Sequence, residues 1–152
     1  MHVVLVEPEI PQNTGNIVRT CSATGTVLHL VRPLGFSTDD RYLKRAGLDY
    51  WNQVDIRYHD SLDSFLLQHS DKDLYFFTTK GGRWYADMVF PPESFLVFGK
   101  ETAGLPASLL EANPDRCLRI PMLPGTRSLN LSNSVAVVLF EALRQQGFKN
   151  LT

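Results

Sequence analysis

Val3-Val4-Leu5-Val6-Glu7-Pro8-Glu9-Ile10-Pro11-Gln12-Asn13-Thr14-Gly15-Asn16 sets a strand, a loop and the start of a helix in immediate succession. The apolar, mostly β-branched run Val3 to Val6 reads as a strand buried on both faces, and Pro8 stops it. Asn13 and Thr14 then read as caps of a helix carrying Ile17, Val18 and Cys21, with Gly25 as its stop. The same alternation continues along the chain. Val27 to Val31, Val54 to Tyr58, Leu74 to Thr79, Phe95 to Phe98 and Cys117 to Ile120 read as strands. Helix-like segments lie between them: a short one from Thr38, Asp39 and Asp40 to near Gly47, one capped by Asp60, and one that begins after Pro106. This order predicts an α/β fold, a mostly parallel sheet flanked by helices. The length of 152 residues fits one domain spanning residues 1–152, with roughly 69% of its surface buried on folding.

The last helix, from about Ser132 to Gln146, differs from the others. Ser134-Val135-Ala136-Val137-Val138-Leu139-Phe140 is apolar nearly all the way round, whereas a surface helix shows one polar face. Two readings follow: a helix lodged deep in the core, or one that packs on the sheet and on a second copy of the chain.

Composition removes several function classes. The chain is 43% hydrophobic and 20% charged, a globular balance. Cys21 and Cys117 stand far apart without a CxxC or Cys/His cluster, so neither a disulfide framework nor a structural zinc site is expected. The four histidines (His2, His29, His59 and His69) have no metal-ligand spacing and read as structural or surface residues, and no metal is expected. No apolar run reaches the ~20 residues of a membrane span, and the N-terminus reads as a strand rather than a leader, so a cytoplasmic protein is expected. Net charge is −1, which argues against RNA or DNA binding by bulk electrostatics and leaves local patches open. GxGxxG, GxxxxGK[ST] and GxSxG motifs are all missing.

Three loops are too specialised for simple connectors, and each follows a strand. They are Glu7 to Asn16, leading into Arg19; Phe98 to Pro106; and Ile120 to Ser134. Loops at the carboxyl ends of parallel strands converge on a ligand crevice. Singly, each has a plainer explanation as Gly/Pro punctuation, helix caps or surface charges; together they point to a ligand site.

Asn13-Thr14-Gly15-Asn16-x-x-Arg19, Phe98-Gly99-x-Glu101-x-x-Gly104-Leu105-Pro106, and Ile120-Pro121-Met122 followed by Ser128-Leu129-Asn130-Leu131-Ser132-Asn133 closely resemble the three signature motifs of the SPOUT RNA 2′-O-ribose methyltransferases. Order and spacing agree over nearly the whole chain. The small size is similar to the family's minimal branch, which methylates the wobble ribose (cytidine or carboxymethylaminomethyluridine) of leucine tRNAs with S-adenosylmethionine. The resemblance implies a C-terminal trefoil knot, which general threading rules do not suggest. It also implies a homodimer, with tRNA as partner and S-adenosylhomocysteine as product.

Carried over residue by residue, the resemblance places the cofactor against Phe77, Gly99, Glu101, Gly104, Ile120, Met122, Ser128 and Leu129. Glu101 has two possible duties, orienting loops or facing the cofactor's positive end. Arg19 matches the arginine placed at the reacting hydroxyl. A guanidinium stays protonated, so stabilising alkoxide charge and holding the adjacent phosphate suit it better than a base role. Asn130 and Ser132 are the expected positioning groups. Some relatives carry a tyrosine where this chain has Phe140. Arg41, Lys44, Arg45, Lys80, Arg83 and Arg127 are candidate RNA contacts, with Trp84 and Tyr85 as stacking surfaces. Two other classes remain: a non-catalytic RNA-binding module of the same fold, and transfer to a base instead of a ribose.

Overall fold

The computed structural model describes residues 1–37 and 50–152. The helix expected from Thr38 to near Gly47, with Arg41, Lys44 and Arg45, lies outside the described residues. Strands run at β1 (His2–Val6), β2 (Val27–Val31), β3 (Ile56–His59), β4 (Leu74–Phe77), β5 (Arg83–Trp84), β6 (Phe95–Phe98) and β7 (Cys117–Arg119). Helices run at α1 (Pro11–Thr24), α2 (Leu62–Gln68), α3 (Ala107–Ala112) and α4 (Leu131–Gln145). Among the described residues these seven strands form one sheet in the order β3-β2-β1-β6-β4-β7-β5. Every strand pair is parallel.

Successive side chains of a strand point to opposite faces, and both faces are covered. Val3 and Leu5 of β1 join Leu96 and Phe98 of β6 under α1 and α4, which supply Ile17, Val18, Cys21, Val135, Val138 and Leu139. Val4 and Val6 join Phe76, Phe95 and Val97 on the other face, beneath Phe65 of α2 and Leu109 and Leu110 of α3. Double coverage explains why β1, β4 and β6 are buried at every position. Each fully buried Val, Leu or Phe contributes roughly 1.5–3 kcal/mol.

Several helix ends differ from the sequence expectation. Pro11, with its preset φ and missing N–H, occupies the first helical turn of α1. The helix therefore starts ahead of Asn13 and Thr14, which are buried inside it and do not cap it. Gly25 stops α1 in the left-handed region at φ 65°, as expected. Ser61, not Asp60, caps α2 through a reciprocal pair with Ser64; Asp60 instead pairs with Arg32 at 2.9 Å. β5 was not anticipated, because two residues carry no periodicity.

All four histidines meet at the β1–β2–β3 side of the sheet. His2 Nδ1 lies 3.1 Å from His29 Nε2, and His29 Nδ1 lies 2.9 Å from His59 Nε2. His69 Nδ1 donates to the Phe65 carbonyl at 2.9 Å. Glu93 Oε2 sits 3.2 Å from His2 Nε2 and, as a carboxylate, accepts from it. That acceptor fixes the tautomers in turn: His2 Nδ1 accepts from His29 Nε2–H, and His29 Nδ1 accepts from His59 Nε2–H.

Candidate active site

β1, β4, β6 and β7 all run in the same sense, so the loops after them emerge at one edge of the sheet. They enclose a cleft of about 1120 Å³. Phe77, Gly99, Glu101, Gly104, Ile120, Met122, Ser128, Leu129 and Asn130 all line it. Phe77 stacks on Phe98 with ring centroids 4.7 Å apart, which gives the floor a flat apolar surface. Gly99 has no room for a side chain: a Cβ there would lie 2.1 Å from the Gly104 carbonyl carbon and 2.3 Å from the Leu105 nitrogen. Gly104 turns this loop at φ +70° and donates its N–H to Lys100 O at 2.9 Å.

Glu101 does not stand free. Its carboxylate accepts from the Glu9 and Ile10 backbone N–H groups at 2.8 and 3.2 Å and from Asn13 Nδ2 at 2.9 Å. α1 has no acidic residue in its first turn and no side-chain cap from its own N-cap residue. A carboxylate from a distant loop therefore supplies the negative charge that a helix N-terminus favours. Of its two expected duties, loop orientation is the one these bonds perform.

Asn13 carries the connection onward. Its Oδ1 accepts from Asn130 Nδ2 at 2.9 Å. Asn130 Oδ1 in turn caps α4, accepting from Ser132 N at 2.9 Å and Ser132 Oγ at 2.7 Å. The three loops are thus joined by one chain of hydrogen bonds, Glu101–Asn13–Asn130–Ser132. Two further links tie the first loop to the second. Glu9 accepts from Thr102 N at 3.0 Å and Thr102 Oγ1 at 2.8 Å, which lowers the Glu9 pKa. Lys100 Nζ donates to Glu7 Oε2 at 2.7 Å, and that partner raises the lysine's pKa.

Two expected residues are placed differently from the rest. Arg19 is exposed on the outer face of α1, with its guanidinium 5.3 Å from the Tyr50 ring centroid, and is not part of the cleft lining. Ser132 is also outside the lining and serves the α4 cap. Sequence reasoning passed over Asn13, Glu7 and Lys100 as site residues. Asn13 carried a signal, since it stands in the first motif, but a cap was its simplest reading. Glu7 lies in the cleft wall at a left-handed φ of 50°, which is uncommon for a residue with a side chain.

Comparison with known proteins decides the family. The model of the SpoU rRNA Methylase family matches residues 1–140. The chain belongs to this family. A Geobacillus stearothermophilus relative, with tRNA (cytidine(34)-2′-O)-methyltransferase in its name, is 58% identical and covers 100% of this chain and 99% of its own. The tRNA (cytidine(34)-2′-O)-methyltransferase of Burkholderia ambifaria is 50% identical, covering 97% of each chain. A solved structure described as giving insights into the 2-OH methylation of C/U34 on tRNA has a TM-score of 0.91 at 46% identity, covering 96% of this chain and 95% of that one. An AdoMet-bound rRNA methyltransferase from Sinorhizobium meliloti has a TM-score of 0.82 at 27% identity, covering 94% of this chain and 55% of that one. The expected family and the α/β fold class both stand. No helix among the described residues is long and apolar enough to cross a membrane.

Proposed function

We propose that residues 1–152 form a single methyltransferase domain. It transfers a methyl group from S-adenosylmethionine to the 2′-hydroxyl of the wobble ribose, cytidine or carboxymethylaminomethyluridine, of leucine tRNAs. One observation carries the reading: the three motif loops close a single cleft, in a chain more than half identical to a relative whose name gives 2′-O-methylation of cytidine 34 in tRNA.

The cleft suits the cofactor. Gly99 lets backbone approach a flat ligand where a Cβ would collide, and Phe77, Ile120, Met122 and Leu129 give the apolar wall an adenine requires. Ser128 adds a hydroxyl and backbone groups. When bound, S-adenosylmethionine supplies a methyl group on a sulfonium, already a good leaving group, so the protein's task is to position and polarise the accepting oxygen. The Glu101–Asn13–Asn130 chain holds the loops in register for this. Arg19, exposed on α1, holds the phosphate beside the target ribose and stabilises charge developing on the hydroxyl oxygen. The start of α4 adds a favourable dipole for that oxygen.

A homodimer belongs to this reading. Val137 and Phe140 are 40% and 46% exposed on the outward stripe of α4, next to α1, and a second copy would cover them. A trefoil knot belongs to it too. Its support is close backbone crossing: the segment between β4 and β5 passes β7 so closely that a Cβ on Gly81 would lie 2.7 Å from the Leu118 carbonyl carbon. With near-zero net charge, RNA affinity is expected to be modest and salt-sensitive.

The test maps methyl groups on total tRNA, with and without the protein and cofactor, by nuclease digestion and mass spectrometry. A 2′-O-methyl at the wobble ribose of leucine tRNAs is expected. A methyl on a base, or none, refutes the reading. Arg19→Ala is expected to raise KM for tRNA and lower kcat while S-adenosylhomocysteine affinity, read by calorimetry, is unchanged.

A further inference from the structure

Among the described residues, four of the six cations without an ion pair lie in one stretch of the chain. Arg32, Arg57, Lys72, Lys100, Arg116 and Arg144 each have a carboxylate partner. Arg19 lies over Tyr50, and Lys149 stands near the end of the chain. The remaining cations, Lys80, Arg83, Arg119 and Arg127, are exposed without an ion pair. All four fall between β4 and the start of α4; Lys80 lines the cleft, and Arg119 directly precedes the cleft residue Ile120. An unpaired guanidinium near a cleft suits phosphate, because no protein carboxylate has to be displaced.

An indole stands among them. Among the described residues β5 is the outermost strand and pairs only with β7. The register sets Trp84 opposite Arg119 and Arg83 opposite Leu118. Residues directly opposite in neighbouring strands share a face, with backbones about 4.8 Å apart. Trp84 is 49% exposed and stacks on no other ring among the described residues. Its neighbour Tyr85 behaves differently, packing partly buried against the core. The platform is continuous with the cleft, since Lys80 and Gly82 just before β5 and Ile120 just after β7 are cleft residues.

We propose that Trp84 is a stacking platform for an unpaired RNA base adjoining the nucleotide in the cleft, with Arg119, on the same face, holding a phosphate that flanks it. The proposal rests on the reading that the substrate is RNA. It adds that the RNA is engaged as a splayed single strand, because bases in a duplex offer no free π face. Arg119 and the indole side by side match the alternation of phosphate and base along such a strand.

The test compares binding of a short synthetic RNA hairpin with an unpaired loop against a fully duplexed RNA, by fluorescence anisotropy. Trp84→Ala is expected to weaken loop RNA roughly tenfold and leave duplex binding unchanged, while Trp84→Phe stays within about twofold. Arg119→Ala is expected to reduce the slope of log affinity against log salt by about 0.7. Affinity for S-adenosylhomocysteine is expected to hold in all three variants. Loop RNA is also expected to quench the intrinsic tryptophan emission of the parent. In Trp84→Phe that quenching disappears although binding persists, a result that does not depend on whether Trp84→Ala folds. Parent-like affinity of Trp84→Ala for loop RNA, or unchanged quenching in Trp84→Phe, overturns the proposal. If the parent methylates tRNA and Trp84→Ala keeps its KM, the platform fails and the methyltransferase reading survives. If the parent methylates no RNA but loop RNA still quenches Trp84, the reverse holds.

Discussion

Acid should loosen this protein through His29 before its carboxylates protonate. Burial pushes the His29 pKa down from 6.5 to about 3, and the neighbouring His2, His59 and His69 add to the shift. Each contact of the chain Glu93–His2–His29–His59 already holds its single proton, so a proton added to His29 would meet a second N–H. Below 6.5 the unfolded chain therefore takes up a proton at this residue that the folded chain refuses, and stability falls. The loss runs at roughly 1.4 kcal/mol per pH unit, giving about 2 kcal/mol by pH 5 and ending near the folded pKa. His2 and His59 are lowered as well, again mainly by burial, and act in the same direction. Against a typical total of about 5–15 kcal/mol the effect is large. Urea unfolding followed by circular dichroism at a series of pH values from neutral to about 5 measures it. His29→Gln keeps one donor and one acceptor but takes up no proton, so its profile is expected to be clearly flatter. Parallel profiles for parent and variant, or a flat parent, would refute the reasoning.

Other expectations concern the cleft and the outer helix. Gly99→Ala is expected to cost at least about tenfold in S-adenosylhomocysteine affinity by calorimetry, because its Cβ would meet backbone at 2.1 Å that only moves if the loop does. Asn13→Ala leaves Asn130 Nδ2 and a Glu101 oxygen short of a partner; urea unfolding should show a loss of about 1–3 kcal/mol. Phe140→Glu places charge on the exposed α4 stripe and is expected to shift the sedimenting species from dimer to monomer with the fold retained.

Much of the architecture was legible because buried parallel strands announce themselves. Phe95–Phe98 is an unbroken apolar run and Val27–Val31 is broken only by His29, and the sequence bounds of both match the strands. β5 was missed because two exposed residues at a sheet edge have neither periodicity nor burial. The cleft lining was legible through the family resemblance, not through composition, since glycine at position 99 looks like any loop glycine until its neighbour's carbonyl is seen beside it. The bonding within the site was not legible. Asn13 reads as a cap, and only the long-range approach of Glu101 and Asn130 gives it another task. Arg19 was placed at the chemistry by its motif, yet a helix position alone does not tell which way its side chain leaves the helix.

The hydrogen-bond chain through Asn13 also bears on when the cleft comes into being. Its partners stand 88 and 117 residues away along the chain, so neither link can form by local zippering. Such long closures slow folding and confine site assembly to its late stages. During synthesis, the loops from β1 and β6 would emerge well before Asn130 arrived to lock them. A nascent chain halted short of that residue would hold most of the sheet's strands and have no assembled cleft. Ligand competence is therefore a report that the chain has grown past Asn130.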